Sequence, residues 1–391
     1  MNAKRKVTLS PRIERFHKRY IAFSVVFTTF ILFLLMVEGA AFVAMKLRGT
    51  PKPNAPLLKF DYAPYRMMKT VQAPWPINEA GFRAKPLQSY LARPDESFRI
   101  VFLGGSVCAG YGGDTGPVLP DLLQERLHEL GLAGTEVINL AQGGAVSAQE
   151  LAILIQYGLK LQPEIVISFN GVNDLGHPSP IGSDEEPNLP YFDARMREMW
   201  QDAKRPSFWS AFYTRTSTGQ MPARIYHKLL RAGFFGGSKK KVVPVDGVVA
   251  SYVRTMDLTR RLTAAYGIKH VVVLQPAALV KKPMSPEELR YVREFDLLNF
   301  QERFQALYQK SAEALHSLSP DGEFRTFYDL AGAFRDEERT VYLDGTHFVN
   351  RIGYPRLLEV LEEQGLIEQI SREYRRWAEG RDTFPEPTPE P

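Results

Sequence analysis

Short apolar runs and longer amphipathic stretches alternate along most of this chain. Residues 99–103 (RIVFL), 136–140, 164–169 (EIVISF), 270–274 (HVVVL) and 326–329 are β-branched or aromatic and too short for helices, so they read as strands. Residues 119–130, 147–161, 253–266, 286–318 and 351–370 carry apolar positions at helical spacing. Strands alternating with helices predict a mainly parallel sheet covered on both faces. The fold class expected is therefore α/β, a three-layer α/β/α sandwich.

Four stretches break this rhythm. Residues 20–45 are apolar apart from Ser24, Thr28, Thr29 and Glu38, long enough to cross a hydrocarbon core of about 30 Å as one helix. A cleaved signal peptide and a buried core helix are the competing readings; the long charged leader and the length of the run favour a retained transmembrane anchor. Residues 46–95 hold Pro51, Pro53, Pro56, Pro64, Pro74, Pro76, Pro86 and Pro94, which read as an extended spacer that becomes ordered against the domain. Residues 176–245, with Trp200, Trp209, Phe208, Phe212 and Tyr213 among prolines and glycines, form an insertion that is either an active-site lid or a peripheral helical subdomain. Residues 371–391 form a C-terminal tail, disordered from Glu379 onward. The folded domain is then 96–370.

The net charge of +5 raises nucleic acid as a partner, but its distribution removes that reading. Residues 1–19 carry Lys4, Arg5, Lys6, Arg12, Arg15, Lys18 and Arg19 against Glu14 alone, a net of +6 that leaves −1 for the rest. The Lys239–Lys240–Lys241 cluster reads as a solvated loop. The basic leader outweighs Lys46, Arg48 and Lys52 after the span, which places 1–19 in the cytoplasm and everything after 45 outside it, in the periplasm if the cell is Gram-negative. Cys108 is the single cysteine and has no internal disulfide partner.

In an open parallel sheet, ligands bind beyond the carboxyl ends of the strands. Three such ends carry unusual chemistry here. Gly104-Gly105-Ser106 puts a hydroxyl in a tight turn with small neighbours and backbone N–H groups nearby. Residues 139–144 bring Gly143 and Gly144 to a second strand end, and Asn170-Gly171-Val172-Asn173-Asp174 presents an amide at a third. Near the C-terminus, Asp344-Gly345-Thr346-His347 has the spacing that sets a carboxylate against one imidazole nitrogen while the other points outward, as a base for a serine requires. Singly each is weak: a tight turn, a cap or a surface pair has the same look. His17, His128, His177, His227, His270 and His316 show no ligand spacing; His177 reads as a solvated loop residue.

In this order the four blocks resemble the SGNH hydrolase superfamily, the GDSL-like lipases and esterases, over residues 98–366 and in their membrane-anchored bacterial form. The resemblance implies an SGNH/flavodoxin-like sheet, with Ser106 as nucleophile and Asp344 and His347 completing a triad. It also implies an oxyanion hole from the Ser106 N–H, Gly144 and Asn173, and neither metal nor cofactor. One departure stands out, since the family's Gly-Asp-Ser is Gly104-Gly105-Ser106 here. Similar Gly-Gly-Ser forms belong to membrane-attached members, so Gly105 does not imply inactivation. Asn78-Glu79-Ala80-Gly81-Phe82-Arg83 resembles an N-x-x-G-F-R element that precedes such domains, and reads as a structural tether. The implied activity is serine-dependent hydrolysis of an ester, an O-acylated carbohydrate or a lipid, outside the cytoplasm. The alternatives are an O-acyltransferase of an extracytoplasmic polysaccharide and an inactive glycan-binding or assembly protein.

Overall fold

The computed structural model of the chain describes residues 11–47, 59–63, 65–91, 97–111, 116–176, 244–281, 283–294, 297–319 and 322–382. Two compact units divide it, one holding residues 1–53 and 198–240 and the other 54–197 and 241–391.

Of the first unit, the described part is helix α1 (Pro11–Leu47). Its stretch Arg15–Ala40 has a mean hydropathy of 2.5 and none of it is buried, as in Phe27 and Leu35. At 1.5 Å per residue, its 26 residues reach roughly 40 Å, more than a bilayer's hydrocarbon core. The Thr29 hydroxyl donates to the Val25 carbonyl at 2.8 Å, so this polar group is satisfied inside the helix. The helix is therefore long and apolar enough to cross a membrane, a test that an N-terminal signal sequence also passes.

In the second unit, odd and even positions of the strands face different neighbours. Ile100 and Phe102, Ile165, Ile167 and Phe169, and Val271 and Val273 belong to one buried cluster. Val101, Leu103 and Val166 belong to a second, and Val272 and Leu274 to a third. A strand whose two faces are both apolar must be covered on both, which makes the sandwich three-layered.

The sheet strands are β3 (Phe98–Gly104), β4 (Thr135–Asn139), β5 (Ile165–Asn170), β6 (Lys269–Leu274) and β7 (Phe327–Asp329). They are parallel throughout and ordered β4-β3-β5-β6-β7. Counted within the sheet this is the flavodoxin-like order 2-1-3-4-5, whose winding reverses between β3 and β5. Helices α4 (Leu119–Glu129), α10 (Asn350–Glu363) and α11 (Leu366–Asp382) supply the first face, through Leu123, Leu127, Tyr354, Leu357 and Ile370. Helices α5 (Ser147–Ile153), α7 (Val245–Ala265) and α9 (Gln301–Leu318) cover the other.

Several elements differ from their sequence pattern. The helix expected over 351–370 is two helices, because Gly365 takes φ +87°, a left-handed conformation that stops α10 and leaves glycine unstrained. The second helix runs on to Asp382, and Tyr374 and Trp377 meet Phe98 edge to face, so the tail expected from 371 begins inside a packed helix. The helix expected from 253 starts at Val245, and the stretch 147–161 ends in a π turn and a 3-10 turn. The spacer is not wholly extended: β1 (Lys59–Ala63) and β2 (Met67–Gln72) form an antiparallel hairpin. Of the insertion, 177–243 lie outside the described residues, and with them His177 and the lysine cluster.

Candidate active site

The winding reversal puts the ends of β3 and β5 side by side, and the candidate residues gather there. Gly104 ends β3 where an added Cβ would lie 2.6 Å from the Phe169 carbonyl of β5, so a side chain would force the strands apart. Ser106 opens the four-residue helix α3 (Ser106–Ala109), and a first helical residue has no intrahelical acceptor for its N–H. Two side-chain bonds fix the helix, Tyr354 Oη to the Val107 carbonyl at 2.6 Å and Asn139 Nδ2 to the Cys108 carbonyl at 2.9 Å. Cys108 itself is fully buried, and burial pushes its thiol well above the usual range, away from nucleophilic chemistry.

Asp344 and His347 lie on a loop beyond β7. A bridge between Tyr342 and Phe348 closes it, with Leu343 N–H donating to the His347 carbonyl at 2.8 Å. One Asp344 oxygen accepts from the backbone N–H groups of Thr346 and His347, both at 2.7 Å, and the other meets His347 Nδ1 at 2.6 Å. Burial raises the Asp344 carboxyl, but the His347 ring and these N–H donors outweigh it and hold the pKa below its ordinary value. His347 Nε2 then stands 2.8 Å from Ser106 Oγ. Residues 241 positions apart in sequence thus form one unbroken hydrogen-bonded chain.

The loop has its own support, which the sequence did not flag. Lys281 and Glu288 form an ion pair at 2.8 Å with side chains 1% and 0% exposed. Glu288 also accepts from the N–H groups of Ser285, Val341 and Tyr342, and Lys281 donates to the Arg339 carbonyl. The ion pair therefore anchors the segment leading into Asp344.

Gly144 and Asn173 lie on two segments joined by a hydrogen bond. Residues 142–145 make a turn closed by Ala145 N–H on the Gln142 carbonyl at 3.1 Å, and Gly144 takes φ +73° at its third position, where glycine is favoured. Asn173 Nδ2 donates to the Ala145 carbonyl at 2.8 Å. Next in sequence, Asp174 accepts from Ser147 N–H at 3.1 Å and Ser147 Oγ at 2.6 Å, tying the short helix Val172–Gly176 to the start of α5. Burial raises the Asp174 carboxyl to about 6, and burial beside Asp174 raises Glu150 well above its ordinary value. Asn170 bridges Glu150 and the Tyr252 hydroxyl at 2.6 Å each.

The segment before β3, together with Tyr111 from beyond α3, braces the same turn. Tyr111 packs its ring on Gly143 and shares a hydrogen bond with the Thr70 hydroxyl. The Arg66 carbonyl accepts from Gln142 and Gln149, and the buried Arg66 guanidinium lies over the rings of both Phe82 and Tyr157, which also meet each other. In the N-x-x-G-F-R element, Asn78 Oδ1 accepts from Ala80 and Phe82 N–H, Gly81 takes φ +85° and Arg83 pairs with Asp121 at 3.0 Å. Arg66, Tyr111 and Glu288 carried no sequence signal; only the N-x-x-G-F-R element pointed at this region. Among the described residues, no group of three or more His, Cys, Asp and Glu could hold a metal ion.

Solved structures similar to the chain include a lipase/acylhydrolase from Enterococcus faecalis, at 17% identity over 68% of this chain and 95% of that one, TM-score 0.34. TesA is similar at 16% identity over 68% and 97%, TM-score 0.37. The acetylxylan esterase Axe2 from Geobacillus stearothermophilus is similar at 14% identity over 70% and 97%, TM-score 0.36. No curated protein matches the chain. The sequence profile of the GDSL-like Lipase/Acylhydrolase family matches residues 102–350, from the first sheet strand through the Ser106 turn to the helix that follows His347, and by that match the chain belongs to the family.

Proposed function

We propose that the chain is a serine-dependent ester hydrolase that works by acyl transfer through Ser106, His347 and Asp344, anchored in a membrane by residues 20–45 with its hydrolase domain outside the cytoplasm. The observation that carries this reading is the hydrogen-bonded chain from Asp344 through His347 to Ser106, at 2.6 and 2.8 Å. Asp344 holds the imidazole with its proton on Nδ1, leaving Nε2 free to accept. As Ser106 Oγ bonds to the ester carbonyl carbon, its proton passes to Nε2. The carbonyl oxygen becomes an oxyanion held by the N–H groups of Ser106 and Gly144 and by Asn173 Nδ2. The bond to the alcohol then breaks and Nε2 returns the proton to the leaving oxygen. Water repeats the sequence on the acyl-serine, yielding the acid and free Ser106. The basic leader supports the orientation, and an envelope location suits O-acylated carbohydrate or lipid as substrate.

The test is turnover of short-chain aryl esters and of acetylated glycans by the full chain in detergent, with a sugar acceptor present and absent. Ser106→Ala is expected to lose at least about 10⁴-fold in kcat. Equal turnover by parent and variant would sink the serine mechanism. Acylated sugar as the main product would turn the reading to an acyltransferase using the same triad.

A further inference from the structure

Gly105 replaces the aspartate usual before the nucleophile in the family that the sequence resembles. Its backbone is extended, and its φ of −86° is not the left-handed conformation that calls for glycine. Space is another matter. A Cβ at position 105 would lie 2.6 Å from Asn173 Nδ2, well inside ordinary contact, with the Ala145 carbonyl next at 3.5 Å.

The atom in the way is the amide nitrogen that the proposed mechanism uses as an oxyanion donor. One of its hydrogens is engaged by the Ala145 carbonyl at 2.8 Å, and an amide nitrogen carries two. The backbone on both sides of the contact is fixed. Position 105 is held by Ala109 N–H on its carbonyl at 3.1 Å and by Gly104 packed on the Phe169 carbonyl. Asn173 sits between Val172 and the fully buried Asp174, whose carboxylate is fixed by Ser147. The cheapest relief is rotation of the Asn173 side chain, which costs little stability and moves the donor.

We propose that Gly105 is a positioning residue: its missing side chain lets the Asn173 amide lie against the nucleophile turn, so that Gly-Gly-Ser is a steric condition of this oxyanion site. The proposal rests on the reading of Asn173 as an oxyanion donor. It also carries an unusual corollary, that restoring the family's usual aspartate impairs the enzyme. Displacing a reacting group by about 1 Å can cost on the order of 10²-fold in rate, comparable with loss of one oxyanion donor.

The experiment is a double-mutant cycle on the full chain in detergent. It measures kcat and KM for an aryl ester, Tm, and the rate at which a p-nitrophenyl alkylphosphonate labels Ser106. The phosphonate's phosphoryl oxygen occupies the oxyanion position, so its rate reads the same donors where ester turnover is too slow to follow. Gly105→Ala is expected to lower kcat and labelling by about 10–100-fold with KM and Tm little changed, and Gly105→Asp at least as far. In Asn173→Ala, where the obstructed atom is gone, adding Gly105→Ala should cost less than about threefold. Parent-like rates in Gly105→Ala, or the same loss in both backgrounds, would overturn the proposal. Ser106→Ala runs alongside: turnover persisting there removes the serine mechanism, whereas Ser106-dependent turnover with a neutral Gly105→Ala removes only the steric link.

Discussion

The two halves of the site are built by different physics. Ser106, Gly144 and Asn173 follow sheet strands, and close backbone approach positions them: Gly104 against β5, Gly143 under Tyr111, Gly105 beneath Asn173. Asp344 and His347 ride on a loop past the last strand, where charge replaces proximity. Asp344 gathers three donors, and the buried Lys281–Glu288 pair anchors the residues just before it. The strand half should therefore break when volume is added, and the loop half when a charge is removed.

The sharpest break expected in the loop half is Asp344→Asn. Three donors converge on two carboxylate oxygens, and an asparagine offers one acceptor. With its amide oxygen toward His347, its NH₂ faces two backbone N–H groups. With its NH₂ toward His347, Nδ1 must accept, so the proton moves to Nε2 and Ser106 loses its base. Either way kcat/KM should fall roughly 10³–10⁴-fold. A loss below tenfold on aryl esters would show that the loop half does not depend on this carboxylate.

Lys281→Met tests the same half at a distance from the chemistry. It leaves the Glu288 carboxylate buried with only N–H donors from Ser285, Val341 and Tyr342. Removing one partner of a buried pair typically costs about 3–5 kcal/mol, and the remaining donors favour the lower end. In a domain of this size that lowers Tm by about 5 °C or more. Because Val341 and Tyr342 lead into Asp344, kcat should fall with it. An unchanged Tm in thermal unfolding would show that the pair does not anchor the loop.

The same division explains what could be read from the sequence. The strand half was legible because its constraints are local. A buried parallel strand is a short apolar run, and a glycine-rich end follows directly, so Ser106, Gly144 and Asn173 stand next to the elements that carry them. The loop half was legible only as a spacing, Asp344 to His347, since nothing local fixes where a loop folds back. Lys281 and Glu288 were invisible for a further reason: a lysine and a glutamate seven positions apart usually form a solvated face. Arg66 likewise looked like any charge in a proline-rich segment, and its burial against Phe82 and Tyr157 follows only from the packing of the N-terminal hairpin. The break at Gly365 was missed because apolar spacing continues across it while the backbone turns left-handed.

The smallest effect separates the halves by the sign of their pH dependence. Asp344 has a depressed pKa, so its contribution to stability is present above the ordinary carboxylate range and lost as pH falls. Asp174, next to Asn173 in sequence, is the opposite, raised by burial from 3.8 to about 6. The folded state then holds this proton more tightly than the unfolded one. The resulting stability is fully present below pH 3.8 and lost as pH rises through about 6. Replacing Asp174 by Asn removes the titration while keeping an acceptor for Ser147. The parent should thus gain on Asp174→Asn by about 2 kcal/mol as pH is lowered from 7 to 4, an amount set by the size of the shift and read from denaturant unfolding at each pH. Glu150, whose pKa is raised by burial and by Asp174, continues to titrate in the variant, so the difference between the two curves reports on Asp174 together with its coupling to Glu150. A difference that stays flat, or grows in the other direction, would mean that Asp174 is ionised at little cost. Its hydrogen bonds from Ser147 would then compensate burial fully, and the strand half would be held by a charge after all, as the loop half is.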